Sequence, residues 1–189
     1  LSSVVLGSFG ARVEAAEIEI TNPALNVGDD GLIATADFAF ELNPRLEEAV
    51  ARGLSLYFLI EFEIARPRWY WLDEKTLSRS KTYQLSYHAL TRQYRLSTGG
   101  SLHQSFSTLS EALRMLSRLR NWLVLDKVAD KGVLKIGETY QASLRMRLDT
   151  SQLPKPFQIT ALANRDWNLS SDWARWVYVM PAFPVSDGK

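Results

Sequence analysis

The chain has 189 residues, 46% of them hydrophobic and 23% charged, a mix that buries a real core and excludes global disorder. Its 22 basic and 21 acidic side chains nearly cancel and are interspersed, unlike the basic surface of a nucleic-acid binder. There is no cysteine for a disulfide or a thiolate metal site, and no apolar run nears the ~20 residues of a membrane-crossing helix.

The first eleven residues are apolar and small, and Val13-Glu14-Ala15-Ala16 has the small-x-small pattern of an export-signal cleavage region. Residues 1–14 are therefore expected to be a signal remnant or flexible arm, residues 15–180 a single β-rich domain, and residues 181–189 a disordered tail. Ile18 and Ile20 begin a period-two alternation, and Val27-Gly28-Asp29-Asp30-Gly31 reads as a turn. Leu32, Ala34, Ala36, Phe38, Phe40 and Leu42 then form one apolar face of a long strand. Asn43-Pro44 supplies a cap and a first-turn proline, and Gly53 a C-terminal stop, for a helix over about 44–52. Leu56, Phe58, Ile60, Phe62 and Ile64 mark the next strand, and Tyr83, Leu85, Tyr87 and Ala89 another. Thr98-Gly99-Gly100-Ser101 predicts a hairpin.

Thr108-Leu109-Ser110-Glu111 is a capping box, and Leu109, Leu113 and Leu116 follow at helical spacing, which predicts a helix over 109–120. Arg114, Arg118 and Arg120 would then favour its C-terminal dipole. Residues 122–125 read as a short strand and 136–149 as a long one. Pro154 and Pro156 bracket a loop, 157–163 reads as a strand, and 167–180 is an aromatic tail. The fold expected is mainly β: two packed antiparallel sheets with one or two short helices. The alternative is an α+β open sheet covered by the 109–120 helix.

Chemistry is sparse. Neither His88 nor His103 sits in a zinc-binding spacing, so no metal and no cofactor is expected. Ser78-Arg79-Ser80-Lys81 has the spacing of penicillin-recognising enzymes, but it reads as a polar turn and lacks their partner motifs. Asp29-Asp30 and Glu47-Glu48 read as turn and helix-surface charges. A hydrolase built on Asp126, Asp130 or His88 is the least favoured reading. Aromatic residues are the unusual feature: Arg66-Pro67-Arg68-Trp69-Tyr70-Trp71 and Trp167-Asn168-Leu169-Ser170-Ser171-Asp172-Trp173-Ala174-Arg175-Trp176 hold five of the six tryptophans. Arg stems that seal indoles in a core and Arg beside Trp at a partner surface share this pattern. Pro67 cannot donate to a ladder, which predicts a bulge or tight turn at 65–68. Trp69 and Trp71 would then point inward, leaving Arg66, Arg68 and Tyr70, with Arg175, as candidate partner-binding residues.

These two runs, together with Leu85-Ser86-Tyr87-His88-Ala89-Leu90-Thr91-Arg92-Gln93-Tyr94-Arg95-Leu96, Leu144-Arg145-Met146-Arg147-Leu148-Asp149 and Leu153-Pro154-Lys155-Pro156, resemble a family of uncharacterised proteobacterial exported proteins. It is catalogued as domain of unknown function 4390. The resemblance implies a signal peptide, a periplasmic location and an accessory role beside a nitrogen-regulation-type membrane sensor kinase. An envelope protein is then the expected partner, with no nucleic acid and no transmembrane segment. The family has no established activity, so the resemblance transfers no functional residue. The expected function is a non-catalytic periplasmic interaction module, with a carrier of a lipid or other small apolar ligand as the alternative.

Overall fold

The computed structural model describes residues 17–67, 74–99 and 101–183. Along the chain run β1 (Glu19–Val27), β2 (Gly31–Ala39), α1 (Pro44–Ala51), β3 (Leu56–Arg66), β4 (Glu74–His88), β5 (Gln93–Ser97), β6 (His103–Phe106), α2 (Leu109–Leu116), β7 (Arg118–Asp126), β8 (Thr139–Leu148), α3 (Lys155–Ala163) and β9 (Ala174–Val179). The strands make two sheets, β1-β2-β7 and β6-β5-β4-β3-β8-β9, with antiparallel pairing throughout.

Alternation places the core. On β3, Leu56, Phe58, Ile60, Phe62 and Ile64 are completely buried, while Tyr57, Leu59, Glu61 and Glu63 face outward. Register carries that face onto β8, because Phe58, Ile60, Phe62 and Ile64 pair with Leu148, Met146, Leu144 and Ala142. The three-stranded sheet closes over it with Leu32, Ala34, Ala36 and Phe38 of β2 and with Leu119, Trp122 and Val124 of β7. Phe62 meets Trp122 edge-to-face across the two layers at 6.3 Å. A second sheet, not a helix, therefore covers the first, and the two-sheet expectation holds over the open-sheet one.

Both helix starts follow their sequence signals. The Asn43 side chain accepts from Leu46 N–H, with Pro44 opening α1 and Gly53 just past its end at φ 91°. Thr108 and Glu111 make the reciprocal capping box of α2. But α2 stops at Leu116, where Ser117 returns both its N–H and its hydroxyl to Leu113 O. Arg118, Leu119 and Arg120 belong to β7, which corrects the 109–120 helix. Two register shifts against β2 and a left-handed Asn121 (φ 54°) break the alternation of β7. Its first two buried residues consequently fall at 119 and 122, spaced from Leu116 like helical turns, before Val124 and Leu125 follow. Leu116 is buried, whereas Leu109 and Leu113 are only half-buried. Leu116→Ala is expected to cost about 2–5 kcal/mol in chemical denaturation, while Arg114→Ala on the exposed face stays within about 0.5 kcal/mol.

Residues 157–163, expected as a strand, lie in helix α3. Pro156 occupies its first turn, where a missing N–H costs nothing. Gln158 fastens that turn by donating to the Ser151 and Leu153 carbonyls. Ser78-Arg79-Ser80-Lys81, expected in a turn, runs through the middle of β4, pairing with β3 from Glu63 to Ile60. At the start of the irregularity expected at 65–68, the β3–β4 register shifts between Ile64 and Ala65, with the extra residue on β4; residue 68 lies outside the described residues. Ile64 pairs with Leu77 and Ala65 with Lys75, so Thr76 is the extra residue, while β3 runs unbroken against β8. Arg66 accordingly keeps the inward register instead of turning out. Its guanidinium lies 5.9 Å from the centroid of the buried Tyr140 ring and pairs with Glu138, which supplies the anion that such a position requires.

Candidate functional site

Burial on the inner face of the large sheet fades from β3 towards β6. On β4 the inward Arg79, Lys81 and Tyr83 are half-buried, and on β6 the inward Gln104 is exposed. The space left there is an open cleft of about 500 Å³ between the β5–β6 hairpin, the end of α2 and the start of β7. Leu96 and Tyr83 form its apolar floor, and Leu102 and Met115 stand at its lips. Leu102 is 85% exposed and Met115 44% exposed, so both hold apolar surface in water. Ser97, Thr98, His103, Gln104 and Asn121 supply neutral polar groups.

Two arginines, Arg118 and Arg120, also line the cleft, and no acidic residue does. Arg120 is spoken for: it donates to the Ala36 carbonyl and pairs with Asp37. Arg120 and then Asn22 bond to the Asp37 carboxylate and hold its pKa below the usual range. Arg118 stands opposite Asp37 in the β2–β7 ladder but makes no ion pair of its own among the described residues. Behind Tyr83, the Lys81 ammonium lies 5.4 Å from the ring centroid. Burial lowers the Lys81 pKa and raises that of Tyr83. The ion pairs among the described residues leave Lys81 without a carboxylate. The cleft thus joins an apolar floor to two arginines, one paired with Asp37 and the other, Arg118, attracted to Asp37 only through space.

Of the residues singled out from the sequence, Arg66 and Arg175 are not part of the cleft lining. Arg66 is packed over Tyr140, Arg175 is exposed on the edge strand β9, and Arg68 and Tyr70 lie outside the described residues, as do Trp69 and Trp71. Trp122 and Trp167 are buried, while Trp173 and Trp176 are half-buried. Arg145 lies 4.6 Å above the Trp173 ring and pairs with Glu61, so here an Arg stem does seal an indole.

The remaining candidates have structural work. Asp126 accepts from Ala129 and Val128 N–H, and these bonds lower its pKa. Asp130 accepts from Asp126 N–H and pairs with Arg79; the backbone bond leads in lowering its pKa. His88 Nδ1 sits 3.1 Å from Thr91 Oγ1 at the β4–β5 turn, and His103 lies at the cleft. Among the described residues no group of three metal-ligating side chains forms, and no helix is long and apolar enough to cross a membrane.

The sequence matches the model of one protein family, Domain of unknown function (DUF4390), over residues 15–177. The chain belongs to that family. No curated protein and no solved structure matches it. The DUF4390 description carries no activity, so any function for this member has to be read from its own residues.

Proposed function

We propose that this chain is a non-catalytic binding module of the periplasm that holds a small organic ligand in the cleft between its sheets and serves as an accessory to an envelope sensor protein. The observation that carries the ligand is the cleft itself. A volume of about 500 Å³ with an apolar floor and a few convergent polar groups falls in the range of small-molecule sites. The non-catalytic reading is supported by the engagement of Asp126, Asp130 and His88 in turns away from the cleft. The periplasmic and sensor aspects draw on the family resemblance alone.

A protein partner is the second reading, favoured by apolar residues the fold leaves outside. Ile159 and Leu162, on one side of α3, are 71% and 88% exposed. Val177 on β9 is likewise mostly exposed.

Native mass spectrometry of gently purified protein separates the two readings. The expected spectrum carries a small-molecule adduct that disappears when Thr98→Trp or Met115→Trp fills the cleft. Adduct-free wild type, with a co-purifying protein that Leu162→Asp releases, would reject the ligand reading in favour of the second.

A further inference from the structure

We infer that the ligand is an anionic amphiphile, a single apolar chain ending in a carboxylate or phosphate, with the head at Arg118 and the chain over Leu96, Leu102 and Met115. This inference rests on the cleft being a ligand site and adds the chemistry of what fills it.

Charge selects the head. The cleft lining carries Arg118 and Arg120 and no acid, and the neighbouring Asp37 carboxylate is held in an ion pair by Arg120. Arg120 is ion-paired with Asp37 and fixed to the Ala36 carbonyl, whereas Arg118 feels Asp37 only through space and makes no ion pair among the described residues, so its N–H groups remain for one anionic group. Carboxylate and phosphate are the groups a guanidinium binds through two parallel hydrogen bonds. Ser97, Thr98 and Asn121 stand in the same cleft to bond the remaining oxygens. Lys81, behind Tyr83 on the same sheet face, adds positive field without a carboxylate partner among the described residues.

Surface selects the chain. An inorganic anion would leave Leu102 and Met115 as exposed as they are now, whereas an alkyl chain covers both. A neutral lipid would cover them equally but leave Arg118 unanswered. Only an amphiphile uses both halves of the site.

Calorimetric titration of the full chain with dodecanoate, dodecyl phosphate, dodecanol and inorganic phosphate, all below micelle formation, tests this. One or both of the anionic amphiphiles should bind about tenfold or more tighter than dodecanol, with inorganic phosphate weakest of all. The stronger of the two identifies the head group. Arg118→Gln should weaken the anions about tenfold and leave dodecanol unchanged; its side chain is exposed, so the fold is retained. Dodecanol binding as tightly as the anions would overturn the inference while leaving an apolar ligand site in place. Inorganic phosphate matching dodecyl phosphate would overturn the chain. No binding of any probe would remove the ligand site along with the inference.

Discussion

Replacing Gly31 with alanine is expected to cost about 3 kcal/mol or more, at the upper end for a single substitution. Gly31 opens β2 with φ 152° and pairs with Asp126 across the β2–β7 ladder. A Cβ built there would lie 1.8 Å from the Leu125 carbonyl oxygen and 2.9 Å from its carbon. Both are backbone atoms, so no side-chain rotation relieves the clash. Nor is either strand end free to move. Gly28 N–H donates to the Gly31 carbonyl at 2.8 Å, and Lys127 N–H to the Asp30 carbonyl at the same distance. The substitution must therefore part β2 from β7 and open water to Leu32 and Leu125, both buried. Gly53→Ala is the matched comparison, because Gly53 also has positive φ, 91°, but meets nothing within 4 Å. It should cost only the strain of a left-handed residue, about 1–2 kcal/mol. Urea denaturation of the two variants measures the difference, and equal losses would mean that β2 and β7 do not approach as described.

What the sequence displayed depended on how regular each element is. Strands β2, β3 and β8 follow strict alternation, since each has one face wholly in the core, and that pattern is plain in the sequence itself. The caps of α1 and α2 were equally visible because they are chemistry between residues three apart. The first half of β4 was hidden by Arg79 and Lys81 on its inner face, where a reader expects apolar residues. Their long stems and the Arg79–Asp130 pair make that position tolerable. In α3, Phe157, Ile159, Ala161 and Ala163 alternate like a strand because no residue of the helix is fully buried, so no core-facing stripe imposes a helical period. The cleft was least legible of all. It gathers Tyr83, Leu96, Leu102, Met115 and Arg118 from separate elements, none in a motif, and the error over α2 assigned Arg118 and Arg120 to a helix terminus. Arg and Trp adjacency in sequence points instead to Arg66, which lies over the Tyr140 ring and pairs with Glu138.

The second large effect is expected at Phe62, where Ala should cost about 3–5 kcal/mol. Phe62 is completely buried near the middle of β3, paired with Leu144 on β8. Its ring meets Trp122 of the other sheet edge-to-face at 6.3 Å, and Trp176 of β9 at 6.5 Å with the planes tilted by 46°. One side chain thus fills the space between the two layers and supports an indole from each sheet. Removing it leaves a cavity that neither sheet can close, because β3 is held by ladders on both sides. Phe62→Leu keeps most of the volume and loses the ring contacts, so it should cost less than about 1.5 kcal/mol. The near-ultraviolet circular dichroism of the tryptophans should weaken in the Ala variant before any unfolding, since Trp122 and Trp176 lose a common neighbour. Double substitution with Trp122→Ala then measures the coupling: rings in contact should depart from additivity by about 0.5–3 kcal/mol. Strict additivity, or a cost for Phe62→Ala no larger than for a surface residue, would mean that the two sheets are not packed through this ring. The three-stranded sheet would then owe its position to the turns at 28–30 and 127–130 rather than to the core.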